Sequence, residues 1–307
     1  MAPMTRIAYD ELSLFHENAS EFGLPWGGPP RVRRTSVPAV GSPGVVSALV
    51  WGDGEPELVL VHGGAQNAHT WDTVALALGR PLVAIDLPGH GYSGPRPDAP
   101  FAPRAFAPDI DVVVRALAPN ASVLVGMSLG GATAMVMGAH YPGNFTQEVL
   151  VDATPAFDPV KAAPIGEFVR GPESFTSFDE ILERTMRFNP TRSESSLRRG
   201  VLHNAVERPD GMWVWRHQQH WDPRTESSDP PPIPDFESLW DDVEHSQLPI
   251  LLVRGTAPGT LVDEVGLSEL ARRRPDALVI AVDGAGHSVQ GDQPIVLAAI
   301  LDDLFDD

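Results

Sequence analysis

The feature that most constrains this chain is a series of short β-prone runs, most of them apolar, each followed by a polar, glycine-rich or proline-rich segment. The runs occupy residues 31–37, 45–51, 58–61, 81–86, 122–125, 148–152, 249–255 and 278–282. Continuous apolar runs without polar alternation are typical of strands that are covered on both faces, as in a parallel sheet. Helical patterns stand between and after these runs, at residues 105–117, 132–140, 263–274 and 294–304. This alternation predicts an α/β fold with a doubly wound, mostly parallel β-sheet.

The alternation stops after residue 155 and resumes at residue 249. The residues between contain helical patterns at 178–187 and 193–206 and a proline-rich stretch at 229–235, but no buried strand run. We therefore expect an α/β core of residues 31–155 and 249–307, with a helical cap insertion, residues 156–248, over the carboxyl edge of the sheet. Residues 1–30 end in glycine and proline, which favour neither helix nor central strand, and are expected to form an N-terminal extension on the surface.

The charge balance limits the partners of this chain. It carries 22 Lys and Arg against 41 Asp and Glu, a formal net charge of −19. Nucleic acids and anionic membranes are bound through clustered basic residues, so we expect neither as a partner. No run approaches the roughly 20 apolar residues that cross a bilayer, and no signal-peptide pattern is present, which favours a soluble, cytoplasmic protein. The surplus of negative charge favours neutral or apolar small-molecule substrates, and the oligomeric state is left open.

The absence of cysteine limits the chemistry. Thiol nucleophiles, disulfides and thiolate metal sites are excluded, so covalent catalysis would have to use Ser, Thr, Lys or a carboxylate. The candidate nucleophile is Ser128, in the sequence Gly-Met-Ser-Leu-Gly at residues 126–130. Between a strand and a helix of small residues, this motif forms a strained turn that projects the serine hydroxyl from the sheet edge.

Four motifs in a fixed order carry a resemblance to a known family. They are His-Gly-Gly at 62–64, Asp-Leu-Pro-Gly-His-Gly-Tyr-Ser at 86–93, the Ser128 motif, and Gly-Ala-Gly-His at 284–287. With them, residues 31–307 resemble the α/β-hydrolase family, least closely in the insertion. The resemblance implies a serine hydrolase in which Ser128 is the nucleophile and His287 the base. It also implies an oxyanion hole made by the backbone N–H groups of Leu129 and of Gly64, which is favoured over Ala65, with no cofactor and no metal.

The acid partner of His287 is the point where the chain departs from the family pattern. The family usually places a carboxylate after the strand at 250–254, but residues 255–260 contain none. Asp152 occupies an alternative family position, at the end of the strand that follows the nucleophile helix, and is the preferred candidate. Asp263 is the second choice, although it resembles a helix cap. A structural role for Asp152, or no acid at all, stays open.

The reaction class follows from the serine. A serine nucleophile favours cleavage of a carboxylic ester or lactone of a small to medium, largely apolar molecule through an acyl-enzyme. Hydrolysis of a C–C bond and cofactor-free perhydrolysis would use the same residues and remain alternatives. A non-catalytic or single-turnover receptor for small molecules is the alternative from a different class, because the fold does not decide the function and the usual acid is missing.

The cap is expected to form the substrate pocket. It contains four of the seven tryptophans, at Trp213, Trp215, Trp221 and Trp240. Trp213, Trp215 and Met186 are the candidate pocket residues. The alternative is that the tryptophans fasten the cap to the core.

Two histidines and an aspartate of the cap have a spacing that metal ligands can use. His217 and His220 would share one helical face, with Asp222 close by. The chemistry expected at Ser128 needs no metal, so we predict no metal site here.

Overall fold

A twisted sheet forms the centre of the protein. The computed structural model describes residue 7 and residues 9–40, 44–95, 102–218 and 235–306. The strands in these ranges are β1 (Val32–Pro38), β2 (Val45–Trp51), β3 (Leu58–Val61), β4 (Leu82–Ile85), β5 (Val123–Met127), β6 (Gln147–Val151), β7 (Ala205–Glu207), β8 (Trp213–Trp215), β9 (Ile250–Gly255) and β10 (Leu278–Val282). Eight of these strands form one sheet in the order β1-β2-β4-β3-β5-β6-β9-β10. β2 runs antiparallel to β1 and β4, and the other neighbours are parallel.

Helices cover both faces of this sheet. The α-helices of the described ranges are α1 (Phe15–Glu21), α2 (Asp72–Leu78), α3 (Pro103–Leu117), α4 (Leu129–His140), α5 (Pro159–Val169), α6 (Phe178–Phe188), α7 (Glu194–Asn204), α8 (Leu239–His245), α9 (Glu264–Arg273), α10 (Val289–Asp292) and α11 (Pro294–Asp302). None of them is long and apolar enough to cross a membrane. Because side chains alternate along a strand, Val59 and Val61 enter one apolar cluster with α3, α4 and α8, and Leu58 and Leu60 enter another with α1, α2 and α11.

The prediction of an α/β fold with a mostly parallel sheet is therefore confirmed. The predicted limits of β2, β3 and β10 match the structure, since each strand coincides with one apolar run, which in β2 is interrupted by Ser47 alone. β10 nevertheless differs from the other parallel strands in its burial, because Leu278, Val279 and Ile280 are exposed. It is the last strand of the sheet, with β9 as its single neighbour.

The N-terminal extension does not simply lie on the surface, and that part of the expectation is wrong. Residues 15–21 form α1. The centre of the Phe15 ring lies 4.9 Å from that of the Trp51 ring, inside the apolar cluster that contains Leu58 and Leu60. Glu11 accepts hydrogen bonds from Arg34 of β1. The extension is thus a part of the core, and the spacing of Phe15 and Ala19, which share the buried face of α1, was the sequence signal for it.

The cap insertion also differs from the sequence expectation. β7 and β8 form an antiparallel hairpin within it, and strands of three residues are too short to leave a recognisable pattern. α8 packs into the core cluster through Leu239, Trp240 and Val243. Residues 239–245 therefore belong to the core, whereas α6, α7 and the hairpin form a separate apolar cluster of the cap. Trp221 lies outside the described residues.

Replacing Phe15 tests the anchoring of α1. Phe15→Ala should lower the free energy of unfolding by about 3–5 kcal/mol, because it removes a buried ring and leaves a cavity. Trp26→Ala is the matched control: it removes an aromatic side chain of the same segment that is 44% exposed, against 2% for Phe15. Urea unfolding followed by far-ultraviolet circular dichroism measures both variants. Equal losses in the two variants would contradict the anchoring.

Candidate active site

Ser128 lies in a tight turn between β5 and α4. Its backbone has φ 52° and ψ −116°, a conformation that is strained for a residue with a side chain. A Cβ on Gly126 would collide with the Gly130 carbonyl, and a Cβ on Gly130 would collide with the carbonyl oxygen of Val61. The two glycines thus let α4 approach β5 and β3 closely, and the turn presents the Ser128 side chain to a cavity at the carboxyl edge of the sheet.

A chain of hydrogen bonds joins Ser128, His287 and Asp152. His287 Nε2 lies 3.0 Å from Ser128 Oγ, and His287 Nδ1 lies 2.8 Å from Asp152 Oδ2. A carboxylate only accepts hydrogen bonds, so Nδ1 carries the proton and the lone pair of Nε2 accepts from the Ser128 hydroxyl. The structure therefore brings together the three residues that the sequence singled out, in the arrangement that lets a histidine remove the proton of a serine. Their roles in catalysis stay a prediction.

The loop after β9 holds Asp152 from the other side. The Thr260 hydroxyl donates to Asp152 Oδ1, and the Leu261 N–H donates to Asp152 Oδ2 at 2.9 Å. This loop is where the family pattern places its carboxylate. Here it provides hydrogen-bond donors to a carboxylate that comes from β6 instead. The sequence reasoning missed Thr260, and its signal was a hydroxyl in a loop that lacks an acid.

Asp263 has a different partner. Its Oδ1 accepts a hydrogen bond from the Gly266 N–H at 2.9 Å, and its backbone is extended as expected at the N-cap of α9. The structure thus places the alternative acid at a helix end, as its sequence context suggested, and does not bring it to His287.

His62 sets the orientation of the loop after β3. The Leu87 N–H donates to His62 Nε2 at 2.9 Å, so Nδ1 carries the proton and donates to the Gly63 carbonyl at 2.7 Å. Burial lowers the pKa of His62 to about 4, which keeps the ring neutral in this tautomer. In a trans peptide the C=O and the next N–H point in opposite directions. The Gly64 N–H therefore points away from His62, and Gly64 lines the cavity together with Leu129.

Ala65 is held through both of its backbone polar groups. Its N–H donates to His90 Nε2 at 3.1 Å, so this N–H is already engaged, whereas none of the described residues accepts from the Gly64 N–H. Its carbonyl accepts from Asn204 Nδ2 of the cap at 2.8 Å, and Asn204 Oδ1 accepts from Asn67 Nδ2 at 2.7 Å. A cap residue thus helps to shape the loop that carries Gly64. No sequence signal pointed to Asn204, because a single asparagine marks no particular contact.

Backbone strain is concentrated around this site. Within the described ranges, the non-glycine residues with positive φ are Ala65, Ser128 and Asp152, at 59°, 52° and 45°. They follow β3, β5 and β6, three neighbouring strands of the sheet. Each such residue costs about 1–3 kcal/mol and persists only where its surroundings hold it. Hydrogen bonds and close glycine contacts provide that support here.

The cavity lies between the sheet edge and the cap. Its volume is about 1260 Å³, and Phe157, Phe168 and Trp215 contribute aromatic surface to its wall. Trp215 is thus placed as the sequence predicted, but Trp213 and Met186 do not line the cavity. Trp213 packs against Phe178 in the apolar cluster of the cap, and Met186 points outward at the edge of the buried face of α6. Composition indicated an aromatic cap but could not show which side of it faces the sheet.

Two groups of residues bear on metal binding. His217 lines the cavity, and burial lowers its pKa to about 3, while His220 and Asp222 lie outside the described residues. His69, Asp72 and His203 bring three ligand-type atoms within 4.8 Å of one another.

The contacts of His69 favour an ion pair over a metal site. Burial alone would lower its pKa, but the Asp72 and Glu11 carboxylates raise it to about 9, so both ring nitrogens are donors at neutral pH. The His69 and His203 rings are stacked at 3.8 Å with planes 11° apart. The ring nitrogens therefore lie in nearly parallel planes, and even with both rings neutral their lone pairs would not converge on one point.

Known proteins resemble this chain over most of its length. Residues 58–300 match the model of a family described as the alpha/beta hydrolase family. The esterase Rv0045c of Mycobacterium tuberculosis is 41% identical over 305 residues, which cover 97% of this chain and 96% of that protein. The sn-1-specific diacylglycerol lipase ABHD11 of Mus musculus is 27% identical over 254 residues, 78% of this chain and 77% of that protein.

Solved structures show the same likeness. A crystal structure of the esterase Rv0045c superposes with a TM-score of 0.83 at 40% identity and covers 99% of this chain and 100% of that one. The structure of E-2-(acetamidomethylene)succinate hydrolase superposes with a TM-score of 0.75 at 22% identity, covering 90% of this chain and 100% of that one. The second likeness concerns the fold alone.

Replacing the two candidate acids distinguishes between them. Asp152→Asn should slow the labelling of Ser128 by an active-site phosphonate by about 10⁴-fold, because the amide no longer orients His287 or stabilises its cation. Asp263→Asn is the matched control and should label at the normal rate, with at most about 1 kcal/mol lost from the cap of α9. Mass spectrometry of the labelled protein measures both rates, and thermal unfolding checks the fold. The reverse pattern would assign the acid to Asp263.

Removing the amide of Asn204 tests the shape of the loop that carries Gly64. Asn204→Ala should weaken the binding of a boronic acid that forms a tetrahedral adduct with Ser128 by up to about 100-fold, because a displaced N–H no longer meets the anionic oxygen. Asn144→Ala is the control, since the Asn144 amide donates to the Pro119 carbonyl on the surface. Equal dissociation constants in the two variants would show that the cap does not shape this loop.

Proposed function

The chain belongs to the α/β-hydrolase family and is a hydrolase, and we propose that it cleaves a carboxylic ester or lactone of a small to medium, largely apolar molecule through an acyl-enzyme. The observation that carries this proposal is the chain of hydrogen bonds from Asp152 through His287 to Ser128 at the wall of a cavity. The 41% identity with an esterase over nearly the whole chain supports it.

Acylation would begin at Ser128. His287 Nε2 takes the hydroxyl proton while Oγ attacks the carbonyl carbon of the substrate, and Asp152 stabilises the imidazolium that forms. The N–H groups of Gly64 and Leu129 then donate to the negative oxygen of the tetrahedral intermediate. Loss of one such donor typically costs about 3–4 kcal/mol of transition-state stabilisation. As the intermediate collapses, His287 returns its proton to the oxygen of the departing alcohol, and the acyl group stays on Ser128.

Deacylation would use the same groups in reverse. A water molecule takes the place of the alcohol, and His287 removes one of its protons as the oxygen attacks the acyl carbon. Collapse of the second tetrahedral intermediate returns the proton to Ser128 Oγ and releases a carboxylic acid. For a lactone, the alcohol and the acid are parts of one product molecule.

The proposed substrate class follows from the cavity. Pockets for drug-sized ligands typically enclose about 300–1,000 Å³ and are mostly apolar. A cavity of about 1260 Å³ with aromatic residues such as Phe157, Phe168 and Trp215 has room for a medium-sized acyl or alcohol group.

Turnover of model esters tests this proposal. The protein should hydrolyse p-nitrophenyl esters of graded chain length, or simple lactones, with steady multiple turnovers. Ser128→Ala should lower kcat by at least about 10³-fold because the nucleophile is gone. Ser36→Ala, which changes an exposed serine of β1, is the control and should leave the rate unchanged. One turnover followed by arrest, with Ser128 still labelled by a phosphonate, would contradict the proposal and support a single-turnover receptor.

A further inference from the structure

An arginine with a buried Nε lies in the wall of the substrate cavity and makes no ion pair with the described residues. Arg192, between α6 and α7, lines the cavity close to the site. Its Nη2 donates to Ser196 Oγ at 2.6 Å, while its Nε is buried and has no hydrogen-bond partner among the described residues. Burial lowers the pKa of Arg192, and the charge of nearby Asp292 opposes this effect only in part. The guanidinium thus carries a charge that its surroundings compensate incompletely.

Arg34 and Arg199 illustrate the usual way in which a buried arginine is stabilised. Arg34 is paired with Glu11 and Asp86, and Arg199 with Glu21. A charge removed from water destabilises the fold unless it is paired and hydrogen-bonded. The chain contains 41 acidic residues, but no carboxylate of the described residues lies within 4 Å of the Arg192 guanidinium.

The packing of α10 leaves space for this guanidinium. A Cβ on Gly291 would lie 2.8 Å from Arg192 Nη1, so a residue with a side chain there would displace the arginine. Gly291 belongs to α10, which begins two residues after His287. Asp292, whose charge acts on Arg192, accepts a hydrogen bond from the Gly286 N–H at 2.9 Å and so helps to hold the His287 loop. The guanidinium therefore lies on the same side of the cavity as the candidate base.

Two further cations line the cavity. Lys161 and Arg170, from α5 and its C-terminal end, contribute to its wall, and neither makes an ion pair with the described residues. The negative residues of the wall are Asp72, Asp152 and Asp292, and each of them already accepts a hydrogen bond from the protein. The local charge available to a ligand is thus positive, although the whole chain carries −19.

We propose that Arg192 binds a carboxylate at the far end of the acyl chain, so that the preferred substrates are half-esters of dicarboxylic acids. The inference rests on the proposed ester hydrolysis and narrows its substrate class. A guanidinium presents parallel N–H donors that match the two oxygens of a carboxylate. The aromatic wall would accommodate the methylene chain between the carboxylate and the ester carbonyl at Ser128.

Matched ester pairs test this inference. The mono-p-nitrophenyl esters of glutaric, adipic and pimelic acids are compared with the neutral p-nitrophenyl esters of the same chain length. The native protein should show a kcat/KM at least tenfold higher for the anionic member of the best pair. Arg192→Met should reduce this ratio at least tenfold, and Arg192→Lys, which keeps the charge but loses the planar fork, should retain part of it. Arg187→Met, which alters an exposed arginine of α6, should leave the ratio unchanged.

Equal kcat/KM values for anionic and neutral esters, or an unchanged ratio in Arg192→Met, would overturn the carboxylate site. A binding measurement separates this outcome from a failure of the esterase proposal. Calorimetric titration with monomethyl adipate should detect binding to Ser128→Ala and a loss of at least tenfold in affinity in the Ser128→Ala/Arg192→Met double variant. Equal affinities would overturn the carboxylate site even if the protein hydrolyses neutral esters, and thermal unfolding of each variant checks that it is folded.

Discussion

The close contact between the start of α4 and the ends of β3 and β5 is the constraint on which the site depends. Gly126 and Gly130 have no side chain at the two places where backbone meets backbone. Only this approach lets the chain turn at Ser128 with a positive φ and begin a helix at the next residue. The first N–H groups of that helix have no partner within it, and its dipole favours negative charge at this end. One packing contact thus places both the serine hydroxyl and the Leu129 N–H at the cavity.

The candidate acid, Asp152, is positioned by two loops, its own after β6 and the one after β9. In the proposed mechanism His287 uses a carboxylate at Nδ1, and β6 and β9 are the two neighbouring strands from which the sequence offered one. Here Asp152 follows β6, while the loop after β9 contributes the Thr260 hydroxyl and the Leu261 N–H as donors to it. β6 and β9 are parallel neighbours, so both end at the edge of the sheet where His287 lies. These contacts hold Asp152 in its strained backbone conformation, in which φ is 45°.

Buried charge links the N-terminal segment, the core and the cap. Glu11 contacts Arg34 and His69 of the core, and Glu21 of α1 pairs with Arg199 of α7 in the cap. The Asn204 amide joins the same region of the cap to the loop that carries Gly64. The net charge of −19 is a property of the whole chain, whereas the cavity is governed by a few side chains whose partners are fixed by packing. A global charge count therefore favoured neutral substrates, while the surroundings of Arg192 point to an anionic one.

The sequence by itself determined the sheet, the serine turn and the histidine loop. Each depends on residues that are neighbours in the chain: an apolar run, a glycine on either side of Ser128, and a glycine-rich loop before His287. Tertiary structure alone decided which carboxylate meets His287, because Asp152 lies 135 residues away along the chain and several acids could have folded there. It also decided that Trp215 and not Trp213 faces the cavity, that Phe15 enters the core, and that Arg192 makes no ion pair with the described residues. Contacts between distant segments depend on how loops and helices pack, and local pattern does not encode that geometry.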